Sequence, residues 1–385
     1  MKRRRRSVDC LGIAIKKSVG QYRSWLAILA VWIACGLGAN DVLMSRSRRG
    51  PEQALAEATP VPALISYIDT HTHFDEHDPQ NTVAAVLRAV GRENAAKIYL
   101  QIPPFGVDDA MKYDAEIILP AARQYADNIG VLGGGGSLNP MIMQAVSTGD
   151  SGPDVRKQFK ERAEGLIREG VSGFGEMAAE HFAGTTAYEY APPDHPLYLL
   201  LADIAAQYGV PIDMHMEAVP QAMPLPVGLK SPPNAAQLHA NNSAFERLLA
   251  HNPRAKIIWA HLGSDNTGFR TPESARQLLK AHSNLYMEIK CDPRAVGKNP
   301  VFADGRVKPE WLKLFQEFPD KFIIGSDQHY PEEDGPTRWQ TVVTILNQLP
   351  ASLRQRIGRE NAEHIFSRPG ARSARPEATA GGVGR

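Results

Sequence analysis

Eight short, apolar, β-branched runs recur along this 385-residue chain at intervals of about 30 to 45 residues, and that spacing constrains the fold more than any other feature. They begin at Ile65 (ISYIDTHTHF), Lys97 (KIYLQIPP), Asn128 (NIGVLGGGG), Val171 (VSGFGEMA), Val210 (VPIDMHME), Lys256 (KIIWAHLG), Asn284 (NLYMEIKC) and Lys321 (KFIIGSDQHY). Between them lie segments of helical spacing, such as DHPLYLLLADIAAQYG from Asp194 and PNAAQLHANNSAFERLLAHNP from Pro233, closed by Gly or Asn-Pro as helices are. Strands that alternate with helices pair in parallel, and runs this continuously apolar are strands covered on both faces. Eight such units in about 300 residues predict an α/β fold, a distorted (β/α)8 TIM barrel. The rival, an open doubly wound sheet, lacks a Gly-x-Gly-x-x-Gly after its first strand. The run Gly133 to Gly136 follows the third strand instead and reads as a flexible βα loop.

The flanks read differently. Residues 1–24 hold eight cations against Asp9, and they lead into WLAILAVWIACGLGA at residues 25–39. That apolar stretch has the length of a signal-peptide core and falls short of the roughly 20 residues a membrane span needs. Residues 1–38 are therefore expected to be a signal peptide, cut before Ala39, or an uncleaved membrane anchor, and the protein to be exported, periplasmic or membrane-anchored. Residues 39–62 read as a linker, 63–367 as the folded domain and 368–385 as a disordered tail. Past residue 38 the sole cysteine is Cys291, so no disulfide can form within that part of the chain, and Cys291 reads as a small core residue. The formal charge is +1, so without the basic start the chain is net acidic. Nucleic acid is thereby disfavoured as a partner and a small molecule favoured.

The ionisable residues fall at one place in this pattern. In a (β/α)8 barrel the catalytic groups stand at the C-terminal strand ends. His71 and His73 end the first run, Glu176 the fourth, His215 the fifth, His261 the sixth and Asp327 the eighth. Residues i and i+2 of a strand share a face, so His71 and His73 both aim into the barrel mouth. A mixed imidazole and carboxylate set suits Zn2+, Mn2+, Fe2+ or Ni2+ better than the oxygen-preferring Ca2+ or Mg2+. Glu217 shares the face of His215, Glu180 and His181 follow the fourth strand, and Lys290, Arg294, His329 and Tyr330 stand near the last two strand ends, where a cation could hold an anionic substrate. His77 and Asp78 read as solvated loop.

Together DTHTH at Asp69 to His73, DMHME around His215, WAHLG around His261, IIGSDQHYP around Asp327 and RENAEHIF at Arg359 to Phe366 resemble the amidohydrolase superfamily, closest to its amidohydrolase-2 branch of metal-dependent TIM-barrel hydrolases and decarboxylases. The resemblance implies that His71, His73, His215 and Asp327 ligate a divalent metal, most readily zinc, and that Asp327 also transfers protons. It implies that His261 ligates a second ion or polarises the substrate. Glu176 departs from many members of that branch and is similar to the TatD-like hydrolases, where a Glu on the fourth strand bridges two metals; one or two ions are expected, with support of a ligand histidine as the other role for Glu176.

Water becomes a nucleophile at neutral pH when a bound cation lowers its pKa. The leading expectation is accordingly a hydrolase of an ester, lactone or amide bond, with Asp327 as proton shuttle and His261 stabilising charge on the substrate oxygen. The alternative is a non-oxidative decarboxylase of an aromatic or unsaturated acid, which wants one metal and a cation for the carboxylate. A third reading is a non-enzymatic exported metal-binding domain.

Overall fold

Strand β1, Tyr67–Phe74, buries all eight of its residues, as a strand covered on both faces must. The computed structural model describes residues 66–109, 113–182, 188–291, 298–332 and 338–368. The expected export segment, the linker, the tail beyond 368 and Arg294 lie outside them. Among the described residues no helix is long and apolar enough to cross a membrane.

From β1 the strands follow in chain order: β2 (Ala95–Gln101), β3 (Ile129–Gly134), β4 (Gly173–His181), β5 (Pro211–Met216), β6 (Lys256–Leu262) and β7 (Leu285–Lys290). Each pairs in parallel with its predecessor. The eighth run is broken at Ser326–Asp327. Its first part, β8 (Phe322–Gly325), pairs with β7, and its second, β9 (Gln328–Tyr330), pairs with β1. The sheet order β8-β7-β6-β5-β4-β3-β2-β1-β9 is therefore joined end to end through one stretch of chain, where Asp327 N donates to His71 O at 2.8 Å. This is the expected (β/α)8 architecture, distorted where the last strand breaks.

The helices start and stop as their sequences dictate. Helix α1 (Pro79–Glu93) has proline in its first turn, is capped by the Asp78 side chain and ends at Asn94 with φ 57°. Helix α2 (Leu138–Thr148) and helix α3 (Pro153–Glu169) follow β3, and α4 (Pro196–Tyr208) follows β4 and stops at Gly209. Helix α5 covers only Asn242–His251 of the stretch from Pro233, because Gln237–Leu238 leaves to pair with Met223–Pro224. Asn241 holds that departure, accepting from Val219 N and donating to Glu217 O. Between β2 and β3 the described residues hold short helical turns, Val107–Asp109, Ala115–Ile117, Leu119–Ala122 and Arg123–Tyr125, in place of a full helix. The run Gly133 to Gly136 is buried and tight, contrary to the flexible loop expected: a Cβ on Gly135 would stand 2.6 Å from Ile102 O and 3.0 Å from Glu176 O. Close backbone approach, not mobility, requires glycine there.

Two apolar layers hold the barrel. The larger packs strands against helices. A smaller cluster draws Ile68, Tyr99, Leu132, Ile258, Tyr286 and Ile323 from six strands and is closed by Ile365 and Phe366 of the last helix, Asn361–Phe366. Phe366 stacks on Tyr99 with ring centroids 4.0 Å apart. Cys291 is buried. The interior is thus apolar at one end, and its ionisable side chains gather at the other.

Candidate metal centre

At the barrel mouth the structure brings together all six residues singled out in the sequence, with Glu176 inside β4, which runs on to His181, and not at its end. Glu176 on β4 stands in the middle: its Oε1 lies 2.8 Å from His215 Nδ1 and 3.1 Å from His261 Nε2, and its Oε2 lies 3.8 Å from His71 Nε2 and 3.7 Å from His73 Nε2. Asp327 Oδ1 faces His73 Nε2 at 3.1 Å and His71 Nε2 at 3.9 Å. Ligand atoms of His71, His73 and Asp327, and again of His71, Glu176 and His261, all lie within 4.8 Å of one another. Two of the six sit in left-handed backbone, His261 with φ 63° and Asp327 with φ 56°. Such conformations cost non-glycine residues of order 1–3 kcal/mol and persist where the surroundings impose them.

Carboxylates behind the histidines orient them. Asp213 Oδ2 accepts from His71 Nδ1 at 3.1 Å, Glu288 Oε2 lies 3.4 Å from His261 Nδ1 and accepts from His261 N at 2.6 Å, and the Gln101 carbonyl faces His73 Nδ1 at 3.3 Å. Imidazoles whose far nitrogen is tied to an acid or carbonyl, as in His71 and His73, present the near one to a cation. Buried oxygens of Asp213 and Glu288 and the Nδ1 of His261 have no hydrogen-bond partner. A divalent ion fits this set of soft nitrogen and hard oxygen donors, which Zn2+ and Mn2+ accept.

The charges are arranged around it. Burial would push the Glu176 carboxyl up, but hydrogen bonds from His215 and His261 hold it well below the usual carboxylate range. Burial also opposes ionisation of Asp327, and Lys290 Nζ, 2.6 Å from its Oδ2, holds it well below that range. Arg338 Nη1 reaches the same Oδ2 at 3.5 Å. Burial would lower His71, yet the Asp213 charge raises it to about 10, while burial raises Glu288 to about 8. Burial, with His73 alongside, lowers His329 to about 3, so its ring is neutral.

A cavity of about 170 Å³ opens over the cluster, with Phe182, His181, Lys290 and His329 in its wall beside the candidate ligands. That is below the roughly 300 Å³ of drug-sized pockets and suits a small molecule. The loops after β4 and β5 meet: Phe182, Val219 and Leu238 pack together in a separate apolar cluster, and the first of these also walls the cavity.

Other sequence candidates are used elsewhere. Glu217 accepts from Asn266 Nδ2 at 2.7 Å, Glu180 accepts from the Tyr188 hydroxyl at 2.9 Å, His77 is exposed, Asp78 caps α1 and Tyr330 is buried in β9. Sequence reasoning overlooked Asp213, Glu288 and Arg338. An acid inside an apolar strand must be paired, so Asp213 and Glu288 carried a readable signal. Arg338, at the start of helix α6 (Arg338–Gln348), carried none.

No curated protein matches the sequence. Among solved structures the chain is similar to 2,6-dihydroxybenzoate decarboxylase from Rhizobium, with 13% identity over 78% of this chain and 98% of the other and a TM-score of 0.44. It is similar also to a protein of Agrobacterium tumefaciens, with 14% identity over 79% and 97% and a TM-score of 0.49. A third is dihydroxybenzoic acid decarboxylase from Polaromonas, solved with manganese and 2-nitroresorcinol, at 13% identity over 78% and 96% and a TM-score of 0.43. At these values no substrate carries across. Residues 139–368, well over half of the chain and containing β4 to β9 with Glu176, His215, His261 and Asp327, match the amidohydrolase family, and the protein belongs to that family.

Proposed function

We propose that the chain is a divalent-metal enzyme acting on a small carboxylic acid, and that its reaction is non-oxidative decarboxylation of an aromatic or unsaturated acid. The observation that carries this reading is the pair of cations converging on one oxygen: Lys290 Nζ at 2.6 Å and Arg338 Nη1 at 3.5 Å from Asp327 Oδ2, with Lys290 and Asp327 in the wall of the cavity and Arg338 behind them. A neutral ester, lactone or amide presents one weakly charged oxygen and has little use for two cations next to a metal. A carboxylate does, through charge-assisted hydrogen bonds. This reverses the order expected from the sequence, in which hydrolysis led.

His71, His73, Glu176, His215, His261 and Asp327 would hold the ion or ions, which supply Lewis acidity at a substrate oxygen. Lys290 and Arg338 bind and orient the carboxylate that departs as CO2, and the carbon left behind takes up one proton. Phe182 shields the cavity from water on one side. The opening above the cluster supports an enzyme over a closed structural metal site.

Hydrolysis is kept as the second reading by Glu176, whose two oxygens divide between the His215–His261 and the His71–His73 pairs in the manner of a carboxylate bridging two ions. A metal count on the purified protein, with an acid and ester panel scored separately for CO2 release and for hydrolysis, decides. One ion per chain with CO2 release is the expected result; two ions with hydrolysis and no CO2 would overturn it. The same proposal keeps export for residues 1–38, for which amino-terminal sequencing of the protein recovered from cell fractions is the test.

A further inference from the structure

Arg270 is wholly buried, and its guanidinium spends its donors on backbone carbonyls. Nη1 donates to His261 O at 2.9 Å and Ser264 O at 2.8 Å, Nε donates to Met216 O at 3.0 Å, and Nη2 donates to Met216 O as well. Its guanidinium carbon stands 5.4 Å from the centre of the Trp259 ring, and Trp259 Nε1 itself donates to Met216 O. Burying a cation without a carboxylate costs several kcal/mol, which ordinary packing residues would avoid.

The acceptors explain the choice. Met216 follows His215 at the end of β5, and His261 is the penultimate residue of β6. At His261 the strand ladder fails, because the register of β6 against β7 shifts between Met287 and Ile289 and His261 adopts φ 63°. Side chains hold its backbone in place of the ladder: the N–H donates to Glu288, and the carbonyl accepts from Arg270 at 2.9 Å as well as from Ser264 N at 3.0 Å. One rigid, planar group thus spans the ends of two neighbouring strands, each of which carries a candidate ligand. A lysine, with a single point charge, cannot span both.

We infer that Arg270 is a positioning residue of the metal centre: by gripping the carbonyls of Met216 and His261 it fixes the separation of the His215 and His261 side chains and so sets the affinity for the ion. This assignment rests on the metal reading above, and Arg270 itself does not line the cavity. Lys256 provides a matched control, since at the opposite end of the same strand its Nζ donates to the carbonyls of Gly209, Ile365 and Ser367.

The test is titration of metal-stripped full-length chain with Mn2+ and Zn2+ against a competing chelator, together with melting of the metal-stripped forms. Arg270→Lys and Arg270→Met are expected to weaken binding about 10- to 100-fold, whereas Lys256→Met lowers the melting temperature and leaves the affinity within about twofold of wild type. If Arg270→Met does not fold, Arg270→Lys decides alone. Binding by Arg270→Lys at wild-type strength overturns the assignment, as does an equal loss in Lys256→Met, which would make the effect one of general destabilisation. A wild-type chain that takes up no ion overturns the metal reading and this assignment with it.

Discussion

At Asp327 one carboxylate oxygen faces His73 and the other faces Lys290 and Arg338, so a substrate carboxylate would compete with Oδ2 for two cations already in place. Replacing Lys290 with Met should raise KM for the acid substrate by about 10- to 100-fold, the worth of a hydrogen bond to a charged group, and leave binding of its neutral methyl ester nearly unchanged. Steady-state kinetics on the acid and the ester check this; equal effects on both would remove the anchoring role. Behind the histidines, Asp213→Asn should weaken metal affinity about 10- to 100-fold, read by chelator competition, because the amide no longer holds the His71 ring as its carboxylate does. The residue types at the strand ends were legible from local pattern alone. Their partners were not: Arg338 stands 11 residues past Asp327 with no periodicity to mark it, and its contact with Asp327 exists only where helix α6 returns to the mouth.

Among the elements, the β3 end and the bottom of β1 show how backbone and burial fix the site. Gly135→Ala would drive a Cβ against the carbonyls of Ile102 and Glu176, and should lower stability by about 1–3 kcal/mol, measured by denaturant unfolding. A change below about 0.5 kcal/mol would contradict the close packing inferred there. Where α1 ends beside the start of β1, burial pushes the Glu93 carboxyl up to about 7, with Arg92 and the Tyr67 hydroxyl opposing it. A folded-state pKa above the unfolded value means that the group contributes stability below about 4.5 and loses it as pH rises to about 7, by up to about 1.4 kcal/mol per pH unit. Glu93→Gln should remove that decline, and unfolding curves between those pH values would show the two proteins converging at low pH; parallel curves would sink the assignment. The strands themselves were readable because continuous apolar runs of this length fit a doubly covered strand. The break in the eighth strand and the short helical turns that replace a full helix between β2 and β3 were not, since both are set by what the neighbouring strand ends offer.

For the molecule as a whole, the barrel separates stability from chemistry along its axis. Phe366 stacks on Tyr99 in the apolar cluster that plugs one end, far from the ionisable mouth. Phe366→Ala should cost about 3 kcal/mol or more in stability while kcat per folded molecule stays at the wild-type value, checked by melting and by activity normalised to the folded fraction. A fall in kcat with the fold intact would show that the two ends are coupled. By itself the sequence determined where the eight strand-forming runs lie, their parallel pairing and the identity of the six side chains that converge, because hydrophobic period and position within a run are local properties. Tertiary structure alone decided that Glu176 stands between two histidine pairs, that Lys290 and Arg338 share one oxygen of Asp327, and that Arg270 ties β5 to β6. Those contacts join residues from different strands and loops, and their distances follow from how the sheet closes, which no local pattern encodes.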